Sequence, residues 1–208
     1  MLKRFLFLIL ILPILITCKS EFLKLKQVES TKQVVLKMEY NKKLDKDQIS
    51  TINFPIEFIV ENNSYKKEKI EKLVYLYQPF KEYSQNQTAN LYVYKKNKFE
   101  SLNLFFDDVY IDKGGKKFLI YTKHTVLDTL NFNEDYFAPF INKMRKNKTD
   151  SLLMGTLPEF KQKHSKLTQS LLSDDEVIIL FNKKVKEVKY NTGEKDNLLL
   201  QISKPIKY

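Results

Sequence analysis

Residues 53–64 read NFPIEFIVENNS. Phe54, Ile56, Phe58 and Val60 fall on one face of an extended chain, and Glu57 and Glu61 fall on the other. A period of two with one apolar face is the signature of a half-buried strand. The same period runs outward from this stretch, through 33–40, 70–77 (IEKLVYLY), 90–95 (NLYVYK), 99–106 (FESLNLFF) and 117–123 (KFLIYTK). Asp112, Lys113, Gly114 and Gly115 supply turn chemistry before the last of these, so 108–123 is expected as a hairpin. About six strands at this spacing predict an antiparallel sandwich.

Further along, the period becomes helical. Phe137, Phe140, Ile141 and Met144 recur at helix spacing, Pro139 suits a first turn, and Lys143, Arg145, Lys146 and Lys148 gather where cations favour the helix dipole. A helix over 137–147 is expected. A second opens with Thr156 and Glu159 in capping-box spacing and Pro158 in its first turn, and carries the stripe Leu157, Phe160, His164, Leu167 and Leu171. After Asp174, Asp175 and Glu176 the chain returns to strands at 176–181, 185–190 and 197–203, with Thr192 and Gly193 turning the last pair. The expected fold class is α+β: mainly antiparallel β, sandwich-like, with an inserted pair of helices and a C-terminal β-hairpin. The strand ending at Asn62, Asn63 and Ser64 resembles those of exported immunoglobulin-like domains.

The first eighteen residues, MLKRFLFLILILPILITC, have a different character. Lys3 and Arg4 precede an apolar run over 5–17, and Cys18 follows at once, which is the anatomy of an export signal. Thirteen residues of helix span roughly 20 Å, short of the ~30 Å hydrocarbon core, so a spanning helix is thinly provided for. Leu15, Ile16, Thr17 and Cys18 resemble the lipobox of bacterial lipoproteins, with Thr17 where Gly, Ala or Ser is usual. That resemblance implies cleavage before Cys18, acylation of its sulfur, and a lipid-anchored location in the bacterial cell envelope, periplasmic or surface-exposed. More than one acyl chain is what stable anchoring requires. Residues 1–17 are then a signal peptide and 18–31 a lipidated cysteine and tether, with Phe22, Leu23, Leu25 and Val28 available to dock. One globular domain follows over 32–208, β-rich in 32–131, a helical pair in 132–173 and C-terminal strands in 174–208.

Cys18 is the only cysteine, so no intramolecular disulfide is available and packing must hold the domain. The chain has 36 basic and 25 acidic residues; without Lys3 and Arg4 it keeps 34 basic and a formal charge of +9. Only Arg4 and Arg145 are arginine, the residue favoured for bidentate phosphate recognition, and export also argues against nucleic acid. The scattered lysines read as a solubilising surface. Should a basic patch matter, anionic headgroups or an acidic protein are its targets.

Signatures of catalysis are absent. The four glycines, Gly114, Gly115, Gly155 and Gly193, make no phosphate loop or dinucleotide fingerprint, and there is no HExxH, CxxC or GxSxG. No cofactor or metal is implied. His124 ends a strand and His164 sits on a helical stripe, where packing is the usual role of a lone imidazole. Asp107, Asp108, Asp174, Asp175 and Glu176 read as solvated turns. If 70–77, 90–95 and 117–123 share a sheet, Tyr75, Tyr77, Tyr92, Tyr94 and Tyr121 line one face beside lysines, a surface suited to a protein or glycan. The alternative is ordinary cross-strand pairing or burial beneath the helices.

These observations predict a non-enzymatic, membrane-anchored binding or structural lipoprotein, attached to lipid through Cys18 and holding a protein partner of the envelope. The alternatives are an immunity or inhibitor lipoprotein against a toxin, and an unrecognised hydrolase of envelope polymers.

Overall fold

The computed structural model describes residues 22–77, 89–104, 107–126, 134–183 and 198–207. In chain order the strands are β1 (Leu23–Val28), β2 (Gln33–Asn41), β3 (Lys46–Asn53), β4 (Pro55–Asn62), β5 (Glu68–Leu76), β6 (Ala89–Lys95), β7 (Lys98–Ser101), β8 (Val109–Ile111), β9 (Lys116–Thr122) and β10 (His124–Thr125). Helix α1 (Glu134–Asn147), β11 (Ser151–Thr156), α2 (Leu157–Lys163), α3 (Ser165–Leu172), β12 (Glu176–Lys183) and β13 (Leu198–Pro205) follow. The strands form three antiparallel sheets, β1-β4-β9-β6-β7, β10-β3-β2-β11 and β13-β12-β5-β8. The fold is α+β and mainly antiparallel β, as the period-two stretches predict.

Residues 53–64 run through the middle of it. Phe54, Ile56, Phe58 and Val60 are all buried, and Phe58 stacks on Phe118 of β9, its partner in register, at 5.3 Å. Each such side chain contributes about 2 kcal/mol through removal from water. At one end of the stretch the ribbon passes between sheets. Ile52 pairs with His124 and Pro55 with Tyr121, one register carried across Phe54, whose carbonyl accepts from Thr122 N–H at 3.0 Å. The Phe54 N–H, however, donates to Thr122 Oγ1 at 2.9 Å. A hydroxyl therefore stands in the ladder, and Pro55, with no N–H, comes next. Proline is tolerated in sheets at such first positions, and here the chain passes from β3 of the second sheet to β4 of the five-stranded one.

At the other end Asn62 is fully buried. Its amide donates to the carbonyls of Lys66 (2.7 Å) and Ile111 (2.9 Å), and its Oδ1 accepts from Ser64 N–H at 2.9 Å. These bonds satisfy the backbone where the chain leaves β4 for β5 in the third sheet. Facing them, Gly114 N–H donates to Asn62 O at 3.0 Å. Gly115 has φ +112°, and a Cβ there would lie 2.5 Å from Val60 O. The glycine pair is thus needed for close approach and for left-handed backbone. It does not close a hairpin: β8 pairs with β5, while β9 pairs with β4 and β6. The hairpin expected over 108–123 is corrected to a crossing between two sheets.

Other boundaries also move. Residues 23–28 of the stretch read as a tether form β1, paired with β4 over all six residues, with Leu23 buried. Its free edge is bound to the chain after β13: Gln27 Nε2 donates to Lys207 O at 2.6 Å and Lys207 N–H to Gln27 Oε1 at 2.8 Å. The first helix begins at Glu134, which puts Pro139 beyond the first turn, and its Phe137 and Met144 are buried. The second expected helix is two, broken at His164 (φ −132°, ψ 45°). Strand β11, paired with β2, lies between the helices and has no counterpart in the expected pattern. Strand β7 stops at Ser101, short of the expected 99–106. The strand expected at 185–190 and its turn lie outside the described residues.

Candidate functional site

The five tyrosines do not share one face, because β5 belongs to the third sheet and β6 and β9 to the first. Tyr75 and Tyr77 are interior, 1% and 3% exposed. Tyr75 O–H donates to Asp175 Oδ2, and Tyr77 O–H to Lys123 O at 2.8 Å. His124 sits between them, its ring 4.4 Å from that of Tyr77 and edge-on to Phe54. Its Nε2 lies 2.9 Å from Asp175 Oδ2 and its Nδ1 2.9 Å from Thr122 Oγ1. Nε2–H facing the carboxylate, with Thr122 O–H donating to Nδ1, satisfies both nitrogens of a neutral ring.

Thr122, His124 and Asp175 have the connectivity of a nucleophile, base and orienting acid. Access is the difference. Thr122 is 0%, and His124 and Asp175 each 1%, exposed, and the Thr122 hydroxyl already takes the Phe54 N–H. The cluster holds the corner between sheets. Asp175, expected in a solvated turn, is therefore a buried carboxylate, and burial raises its pKa against the lowering effects of His124 and Tyr75. Its Oδ1 has no hydrogen-bond partner among the described residues. Asp107 and Asp108 are exposed, the latter paired with Lys69 at 2.8 Å.

His164 lies at the break between α2 and α3, packed against Phe160 and Phe140, with Nδ1 2.6 Å from Tyr136 Oη. Partial burial and the neighbouring Lys163 lower its pKa. It joins α1 to the other helices. No group of three or more His, Cys, Asp or Glu among the described residues is placed to hold a metal ion. Cys18 lies outside the described residues.

The remaining tyrosines lie on the face of the first sheet turned away from Phe58 and Phe118. Register puts Tyr92 and Tyr94 of β6, Lys117, Leu119 and Tyr121 of β9, and Pro55 and Glu57 of β4 on this side. Tyr92 and Tyr121 meet edge to face at 6.1 Å, and Tyr94 meets Phe99 at 5.2 Å. The Lys117 ammonium lies 5.7 Å from the Phe99 ring centroid and 6.0 Å from that of Tyr94.

Glu57, expected on a solvent face, is only 2% exposed. Ser30 O–H donates to its Oε1 at 2.8 Å, and the Lys117 ammonium pairs with Oε2. The chain leaving β1 covers it. Beside Glu57 opens a groove of about 350 Å³ with Pro55, Ile56, Leu157 and Pro158 as apolar walls and the exposed Glu29, Lys161 and Lys207 as its charged lining. Sequence reasoning missed Glu57, Ser30 and Lys161, since only the fold brings residues 30, 57 and 161 together.

The molecule is thus a mainly antiparallel α+β protein with a buried polar corner and an open groove of apolar walls and mixed charge. Comparison with known protein families, curated proteins and solved structures returns no match, so the groove is read from its own geometry.

Proposed function

We propose that the protein is a lipid-tethered binding module of a bacterial cell envelope, anchored through Cys18. In this reading the groove and the adjoining Tyr92 and Tyr121 face hold a polypeptide segment of another envelope protein. The groove carries the binding half. Its apolar walls take side chains, its lining carries charges of both signs, Lys161 and Lys207 with Glu29, that can pair with a polar segment, and Glu57 is neutralised by groups already present. The anchoring half rests on the lipobox resemblance. It is compatible with the described helices, none of which is long and apolar enough to cross a membrane.

The two halves have separate tests. Cys18→Ala should lose acyl labelling and its membrane-bound form; unchanged processing overturns the anchor. For the groove, the lipidated protein extracted from its own membranes should carry a partner, and Lys161→Glu and Pro158→Asp, both at exposed positions, should each release it with the melting temperature preserved. Retention by both variants discards the groove.

A further inference from the structure

The corner built around Asn62 presents side chains that its folding does not require. Tyr65 is 89% exposed and Phe22 62%, the former with Lys113 Nζ 4.0 Å above its ring centroid, and Tyr110 of β8 is 42% exposed. The segments that carry these three are bonded to one another. Asn63 N–H donates to Phe22 O at 2.7 Å, Asn62 Nδ2 reaches Ile111 O at 2.9 Å, and Lys67 pairs with Asp112 at 3.0 Å. Lys24, Lys66, Lys67, Lys113 and Lys116 stand on the same segments with three carboxylates, Glu61, Glu68 and Asp112. Aromatic rings interleaved with lysines match the headgroup region of a bilayer, where rings sit at the boundary and ammonium groups meet anionic phosphates.

Chain length supplies the second argument. Strand β1 starts at Leu23, opposite Asn62, and Cys18 precedes it by five residues. Five residues reach at most about 17 Å, so an acylated Cys18 keeps this corner within that distance of the membrane. We propose that the Phe22, Tyr65 and Tyr110 corner is the membrane-contacting face of the tethered domain, seated on anionic lipid. This rests on acylation of Cys18. It goes beyond it by fixing which way the domain faces: the groove, at the Val28 end of β1, points away from the bilayer.

The chain contains no tryptophan, so Tyr65→Trp is a sole reporter. The full lipidated protein is placed in vesicles of phosphatidylethanolamine and phosphatidylglycerol containing lipids brominated on the acyl chain. A second reporter, Tyr40→Trp, is on β2 opposite Asp47 near the start of β3, away from the Asn62 end of β4, and Tyr40 is 56% exposed. The expected result is blue-shifted emission at position 65 and quenching at least threefold stronger than at position 40. Adding Lys66→Glu and Lys113→Glu should halve that quenching while acyl labelling is unchanged. Equal quenching at both positions with acylation intact overturns the orientation and leaves the anchor standing. Shielding at position 65 only when a second protein is added assigns the corner to a protein and overturns it too. Absence of acylation overturns both readings.

Discussion

Among the described residues Asp175 takes side-chain donors only on Oδ2, from Tyr75 and His124, and its Oδ1 has no partner in the interior. A charge so placed is held at a cost, which is why burial raises the carboxyl above its ordinary 3.8. The sign of the pH effect follows. The folded state binds this proton more tightly than the unfolded chain, so the group's contribution to stability falls as pH rises from about 4 through the raised folded value. Asp175→Asn should remove that slope: urea midpoints measured between pH 3.5 and 7 should shift in favour of the variant, relative to the parent, as pH rises. A constant difference across that range would contradict the assignment. Nothing local marked this residue, because an Asp-Asp-Glu run reads as a solvated turn. Its partners lie 100 and 51 positions away along the chain. The burial of Glu57 was hidden for the same reason, whereas the apolar side of its strand was plain from the period alone.

At the level of elements, the glycine pair between β8 and β9 separates two effects usually confounded. Gly114 and Gly115 both have positive φ, at +95° and +112°, but a Cβ on Gly114 meets nothing within 4 Å while one on Gly115 meets Val60 O. Gly114→Ala should cost about 1 kcal/mol from backbone strain alone, and Gly115→Ala about 3 kcal/mol, since β4 must also give way. Equal costs in chemical denaturation would mean that the close approach relaxes freely. Turn chemistry was legible here and its use was not, because the same residues serve a hairpin or a crossing between sheets. Strand β11 was missed because a six-residue edge piece carries too short a pattern to outweigh the helices on either side. The break at His164 is likewise tertiary: the stripe continues through it, but packing against Phe160 and the bond to Tyr136 hold the imidazole at a backbone conformation that no helix contains.

Across the whole molecule, the features of interest are separated along one strand. The aromatic and basic corner lies at the Leu23 end of β1 and the groove at its Val28 end, about 17 Å apart at the usual rise of a strand. A domain tethered at the first and loaded at the second transmits tension along β1. The six antiparallel pairs of β1 with β4 are then stretched side by side, in shear, because their hydrogen bonds lie across the direction of pull. Pulling instead between Cys18 and Asn63, which follows the residue paired with Leu23, would peel the same pairs one at a time. Single-molecule extension between Cys18 and Lys161 should therefore rupture at a clearly higher force than between Cys18 and Asn63. Similar forces would show that β1 does not carry the load. On that expectation the pairing that fixes the first strand in the sheet also makes it a mechanical clamp, strong along the line from the Leu23 end to the groove and weak when peeled from one end.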